Sequence, residues 1–344
     1  MKQKLKALVF QGGGALGAYE LGVAKALYEQ PNFAPDIIAG VSIGAFSAAV
    51  LAGSQEDPIQ SLEKLWELLM MPHNPLMPDF AELPMSLAYN KGMYFLNPEN
   101  FFTPLKNTHF YNTTPLYKTL KEVIDFDKLN SKIAPKTILT ATNIGTGQLD
   151  VFTNYASGQR LDVEHVVASG SIPPTFPMVQ IGDNYYWDGA LFSNTPLKPA
   201  LKALVDMADE RKITGCEIEV ILVELFPRGG EIPQNMTDVY NRMFELSFEA
   251  KMAGDIKQIK RNNTLTSLLA NLGKSSEVAK IVKDDSVYQY ILNKYCTLTL
   301  TTVQKTIGDD EHGEAIGSAD FREKIIKKRI EQGYVDAKQQ IIAC

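Results

Sequence analysis

Gly40-Val41-Ser42-Ile43-Gly44 places a serine between two glycines at a predicted strand-to-helix junction. Small residues on both sides let the chain turn sharply and push the hydroxyl outward, beside the free amides of a helix N-terminus. That is how a nucleophile for acyl transfer is presented. A second turn, Gly12-Gly13-Gly14-Ala15-Leu16-Gly17, also joins a predicted strand to a predicted helix. Its backbone amides would favour an anion or a developing negative charge. If the two strands are parallel neighbours, both turns meet at one sheet edge, where open α/β sheets bind ligands. Nucleophile and oxyanion donors would then be adjacent.

Read alone, the first turn also fits the dinucleotide fingerprint G-x-G-x-x-G. That fingerprint needs an acidic residue closing the second strand, about 20 positions on. Here Asp36 opens that strand and Val41-Ser42 close it, and Gly17-Ala18-Tyr19 lacks the Gly-Lys-Ser/Thr ending of a P-loop. Nucleotide binding is the weaker reading.

A serine needs a base. The histidines are His73, His109, His165 and His312. Only His312 follows the later acidic candidates, in the chain order of an α/β-hydrolase triad. It lies in Gly308-Asp309-Asp310-Glu311-His312-Gly313, which reads as a solvated loop. Only one βα unit precedes Ser42, too few for that fold. The better candidate is Asp188 in Tyr186-Trp187-Asp188-Gly189-Ala190, at the end of a predicted hairpin strand. A carboxylate of ordinary pKa, about 3.9, is a poor base at neutral pH. Partial burial next to Trp187 would raise it.

The elements that must position these groups alternate. Apolar runs at Leu5–Phe10 and Asp36–Val41 read as strands, Ala15–Gln30 and Ile43–Ala52 as helices. Ser61–Met71 has helical spacing. Further strands are expected at 137–143, 149–155, 178–181 with 185–187, 217–226 and 296–303. Helices are expected through Val239, Met243, Leu246, Ala250, Ala253 and Ile256, and over 320–342. Such alternation predicts an α/β layer fold with a largely parallel sheet. A boundary near Pro227 divides residues 1–227, which carry the motifs, from 228–344, a mostly helical extension. Residues 72–104 hold six of the 18 prolines and read either as a packed loop or as a cap over the site.

Composition narrows the classes. The 344 residues carry 34 basic and 40 acidic side chains, net −6, which argues against a nucleic-acid binder. Residues 1–227 are net −7 and residues 228–344 net +1. Clusters at Lys257, Lys260, Arg261 and at Lys324, Lys327, Lys328, Arg329 read as solvated helix faces. Cys216, Cys296 and Cys344 are too few and too scattered for a disulfide framework or a zinc site. No apolar run reaches membrane-spanning length, and the first ten residues do not form a signal peptide. A cytoplasmic protein is expected, with room for transient contact at a membrane surface through 71–102.

Taken together, the motifs resemble the patatin-like phospholipase family. That family combines a G-G-G-x-x-G turn, a G-x-S-x-G elbow and a D-G-A/G motif, here Gly12–Gly17, Gly40–Gly44 and Asp188–Ala190, in that order. Ala168–Pro177 looks like its A-S-x-x-x-P-x-x-F-P segment, and Asn194-Thr195-Pro196 like its N-x-P. The resemblance runs from residue 5 to about 200. It implies a three-layer α/β/α fold with Ser42 as nucleophile and Asp188 as base. The amides of Gly12, Gly13 and Gly14 would form the oxyanion hole, supported by Gly17, Gly40, Gly44 and Gly189. No metal or cofactor is called for, and the substrate would be a phospholipid, a lysophospholipid or another acyl ester. Leu16 stands where many members have Arg, which weakens a cationic head-group contact. Residues 331–337 look like the extension of a bacterial subgroup. A thioesterase or small-ester hydrolase would use the same dyad, and a non-catalytic lipid- or partner-binding module is the rival of a different class.

Overall fold

The alternation seen in the sequence builds one large sheet. The computed structural model describes residues 4–73, 79–103, 106–213, 217–226, 232–234, 236–274, 276–282, 285–288, 297–305 and 317–342. The first elements are β1 (Lys4–Phe10), α1 (Ala18–Tyr28), β2 (Ile37–Val41), α2 (Ile43–Ala52), α3 (Pro58–Leu69) and α4 (Asp79–Ala88). A small antiparallel sheet of β3 (Tyr89–Asn90), β4 (Tyr94–Leu96) and β5 (Tyr111–Asn112) follows, with α5 (Glu99–Phe102) before its last strand. Then come α6 (Thr114–Val123), α7 (Phe126–Leu129), β6 (Lys136–Asn143), β7 (Leu149–Thr153), α8 (Val163–Ser169), β8 (Val179–Ile181) and β9 (Asn184–Asp188). The chain continues with α9 (Leu197–Glu210), β10 (Glu217–Glu224), α10 (Met236–Leu272), α11 (Ser276–Val282), β11 (Thr297–Gln304) and α12 (Glu323–Ala337).

The large sheet has eight strands, connected β11-β10-β1-β2-β6-β9-β8, with β7 also on β6. The pairs β11–β10, β10–β1, β1–β2 and β2–β6 are parallel; β7, β8 and β9 pair antiparallel. The fold is the expected α/β class with a mostly parallel sheet. Along β1 the side chains alternate between two cores. Leu8 and Phe10 pack with α1 and α2, whereas Leu5, Ala7 and Val9 pack with α9 and with Ile256 and Ile259 of α10. Helices therefore cover both faces, which is why β2 is apolar throughout and β1 runs apolar from Ala7 to Phe10.

Two expectations change on contact with the structure and one gains its place: the strand expected at 296–303 is β11, which extends the sheet on β10, and α12 lies along α1. Helix α10 buries Ile256 and Ile259, while Val239, Met243 and Leu246 are exposed. Its 37 residues span about 55 Å, roughly twice the length of an eight-residue strand, so only part of its apolar spacing can reach the sheet. Arg329, expected on a solvated face, is buried, while Lys324, Lys327 and Lys328 are exposed. No described helix is long and apolar enough to cross a membrane.

A buried carboxyl sits between α1 and α2, two helices on the same face of the sheet. Glu20 of α1 accepts a hydrogen bond from the Ser47 hydroxyl of α2 at 2.8 Å and is fully buried. Burial disfavours the carboxylate and holds the pKa well above its usual value. The folded state thus keeps a proton that the unfolded chain releases, and stability falls as pH rises above the ordinary carboxyl range. Glu20→Gln is expected to melt at a higher temperature than the parent at pH 8, with the gap closing towards pH 4. Equal melting temperatures at pH 8 would contradict a neutral Glu20.

Candidate active site

Strand β6 brings the site together. Residues 138–140 pair with β2 and with β7, so those two strands lie on opposite edges of β6. Residues 141 and 142 pair with β7 and with β9, so β9 lies opposite β7, on the edge used by β2. On that edge β2 stops at Val41, opposite Thr140, and β9 arrives from the other direction and stops at Asp188, opposite Ala141. The two strands meet end to end, and the residues that terminate them, Ser42 and Asp188, become neighbours. The Ser42 hydroxyl lies close enough to the Asp188 carboxyl to oppose the rise in its pKa.

The serine occupies a strained turn. Its backbone has φ 56° and ψ −128°, a conformation that non-glycine residues rarely adopt. The flanking glycines permit it: a Cβ on Gly40 would strike the Gly44 carbonyl, and one on Gly44 would lie 2.7 Å from the Gln11 carbonyl oxygen. The Ser42 amide donates to the backbone oxygen of Ser169 (3.1 Å) and to its side-chain oxygen (3.0 Å). Ser169 Oγ in turn donates to the Thr140 carbonyl at 2.7 Å. The turn is thereby tied to β6, and α2 starts at Ile43 with its positive dipole end at the hydroxyl.

Asp188 is held at its amide, its carbonyl and one carboxyl oxygen. Its amide donates to Ser171 O (2.9 Å), its carbonyl accepts from Thr142 Oγ1 (2.9 Å), and Oδ1 accepts from the Ala190 amide (2.8 Å). The side chain is buried. Burial pushes its pKa up to about 7, against the opposing bonds from the Ala190 amide and the Ser42 hydroxyl. Gly189 packs on Thr140 and Val41, and Gly17 packs on Ile43.

The glycine turn lies alongside, because Phe10 at the end of β1 pairs with Gly40. A Cβ on Gly12 would come 2.9 Å from the Ser42 Cβ. The three glycines are not equivalent. The Gly12 amide, expected among the oxyanion donors, is turned to the Asn194 carbonyl at 3.3 Å. Among the described residues nothing accepts from the Gly13 and Gly14 amides. Asn194 also donates from Nδ2 to the Gly12 carbonyl at 2.9 Å, so it grips Gly12 from both sides. The sequence contained Ser169 and Asn194 as parts of motifs, but nothing in their spacing assigned them these bonds. Only the fold brings each to its target, 127 and 182 residues away.

Other candidates lie elsewhere. His73 bonds Glu82, His109 lies against Asn97 and Thr108, and His165 completes a capping box at the start of α8. His312 lies outside the described residues. Among the described residues no group of three or more His, Cys, Asp or Glu side chains is arranged to hold a metal. In the 72–104 segment, Tyr94 is buried against Tyr111 and Phe176. The Phe110 amide contacts the Pro174 and Thr175 carbonyls, so this region packs on the loop leading from Ser171 to β8. A cavity of about 790 Å³ beside it is lined by α3, the β3–β4 turn and α6, and includes neither Ser42 nor Asp188.

A family model described as patatin-like phospholipase matches residues 8–201. Among curated proteins, the chain is 26% identical over 197 residues to a probable lipid hydrolase, 463L, of Invertebrate iridescent virus 6, covering 57% of this chain and 63% of that protein. It is 23% identical over 267 residues to triacylglycerol lipase 5 of Saccharomyces cerevisiae, covering 67% of this chain and 33% of the lipase. The matches thus span less than two thirds of these relatives' lengths. The solved structure of VipD from Legionella pneumophila is similar with a TM-score of 0.41 and 12% identity, covering 98% of this chain and 67% of that one.

The tie between Ser42 and β6 has a measurable weight. Ser169→Ala removes the buried bond to Thr140 O, and a loss of about 1 kcal/mol is expected. A lowered midpoint of urea unfolding checks it; an unchanged midpoint would mean that the turn is fixed by other contacts.

Proposed function

Because this chain belongs to the patatin-like phospholipase family, we propose that it is a lipid acyl hydrolase working through Ser42 and Asp188. Ser42 Oγ attacks the ester carbonyl carbon as Asp188 takes its proton. The carbonyl π electrons move onto oxygen, where the amides of Gly13 and Gly14 and the N-terminus of α2 stabilise the charge. Collapse breaks the bond to the alcohol, which leaves with the proton from Asp188. Water, deprotonated by the same carboxylate, then releases the fatty acid from the acyl-serine.

The observation that carries this reading is the Ser42 hydroxyl beside a buried carboxyl whose pKa is pushed up to about 7, next to two amides that are unengaged among the described residues. A carboxyl tuned to neutrality can accept and return a proton at working pH, which one near 4 does poorly. The substrate is a phospholipid, lysophospholipid or another acyl ester, in keeping with a family named for phospholipid hydrolysis and with relatives named as lipid hydrolase and lipase. Leu16 leaves the turn without a cation there, so no head-group contact is assigned to it. Residues 72–104 act as the cap, supported by the packing of Tyr94 on Phe176. Residues 1–227 are the catalytic region, acting in the cytoplasm with transient access to lipid surfaces.

Ser42→Ala is expected to lower kcat/KM on p-nitrophenyl butyrate and on phosphatidylcholine by about 10³-fold or more, with little change in Tm. Full activity in that variant would overturn the proposal, and a fluorophosphonate probe that fails to label Ser42 in the parent would favour a binding module. Since the base must be unprotonated, log kcat/KM should rise with pH up to about 7 and level above it. Asp188→Asn should be inactive. It should also melt higher than the parent at pH 8. Folding raises the Asp188 pKa, so the parent loses stability as pH climbs from the unfolded carboxyl range through about 7.

A further inference from the structure

We infer that the C-terminal segment Gly317–Ala337, outside the family-matched residues 8–201, positions the glycine turn for oxyanion stabilisation. This rests on the acyl-hydrolase reading above and adds a role for residues to which that reading gives none.

The turn needs such a restraint. Glycines lose the most backbone freedom on ordering, and amides left for an oxyanion cannot themselves be tied down by hydrogen bonds. On the inner side Asn194 grips Gly12 only. On the outer side the 317–319 turn lies against residues 14–17. Gly14 has φ +57°, and a Cβ there would strike the Ser318 carbonyl. Gly317 packs on Leu16.

That turn is itself anchored to α12. The Arg329 guanidinium, buried, donates to the Asp320 carbonyl at 3.2 Å. The buried Asp320 carboxylate accepts from the Arg322 amide at 3.1 Å and from its guanidinium, at 2.9 Å and 3.2 Å from Nε and 2.6 Å from Nη2. Helix α12 is then locked to α1, which begins directly after the turn. The two helices touch backbone to backbone: a Cβ on Gly22 would strike the Ile330 carbonyl, and one on Gly333 the Tyr19 carbonyl. At this crossing the Tyr19 hydroxyl donates to Asp336 Oδ2 at 2.9 Å, with both groups buried. Burial and the neighbouring carboxylate keep the phenol protonated and therefore a donor.

A displacement of α12 from α1 would move both ends of this bracket, and the Gly13 and Gly14 amides with them. Tyr19, Gly333 and Asp336 touch no reacting atom in the proposed mechanism, so they are positioning residues. Their loss should appear in kcat, where oxyanion stabilisation acts, rather than in KM.

The test uses the full chain and a soluble ester, p-nitrophenyl butyrate, with active sites counted by fluorophosphonate labelling. Tyr19→Phe removes the buried bond and keeps the packing; Gly333→Ala forces the helices apart; Asp336→Asn keeps an acceptor. Tyr19→Phe and Gly333→Ala are expected to lower kcat per labelled site by tenfold or more, with KM and the midpoint of the pH profile unchanged. Asp336→Asn should stay within about threefold of the parent. If Gly333→Ala does not fold, Tyr19→Phe decides. A folded Tyr19→Phe variant with kcat within twofold of the parent, or a change confined to KM, would overturn the inference. A parent that neither hydrolyses the ester nor labels at Ser42 instead overturns the acyl-hydrolase reading on which it rests.

Discussion

The hydrogen-bonding edge of β6 is the constraint on which the site depends. One edge serves two strands end to end: β2 rising to Val41 and β9 descending to Asp188. A backbone ladder fixes register to a single residue. The hydroxyl and carboxyl therefore meet because their strands stop at adjacent positions on one template. Ser169 and Thr142 reinforce it, since each hydrogen-bonds the backbone of β6, β9 or the Ser42 turn.

Placing a carboxyl at the end of an interior strand has an electrostatic consequence. Among the described residues no cation offsets the burial of Asp188, which is opposed by the Ala190 amide and the Ser42 hydroxyl. Burial therefore prevails and lifts the pKa to about 7. The same feature that strains the folded state above neutrality gives the proposed base its working range. Proteins commonly accept instability at sites of this kind. Glu20 is a parallel case: also buried, it sits between α1 and α2 with a hydrogen bond from Ser47, and burial raises its pKa in the same way.

A glycine turn with unengaged amides is the second requirement, and it cannot restrain itself. Asn194 holds one end from the loop after Asp188. The 317–319 turn and α12 cover the other side. Residues 317–337 therefore pack on the same layer as α1, and β11 joins the same sheet. Val303, Phe321, Ile326 and Ala337 share one core with Leu8 and Phe10 of β1.

Much of this was legible in the amino-acid order. The two glycine motifs, the carboxylate at the hairpin end and the α/β alternation all depend on local rules: which residues tolerate a sharp turn, which spacings bury one face. Those rules fixed Ser42, Asp188 and the strands that carry them. Bonds between residues far apart in sequence were not legible. That Gly12 turns its amide to Asn194, that Arg329 is buried instead of solvated, that α10 buries Ile256 and Ile259 but exposes Met243 are consequences of which elements become neighbours. A helix wheel shows what could be buried; only a partner surface of finite length decides what is. The local chemistry of the chain was thus set by its sequence, while the pairing of Ser42 with Asp188, the elevated pKa and the bracing of the turn were decided by tertiary structure, because each requires groups brought together across well over a hundred residues.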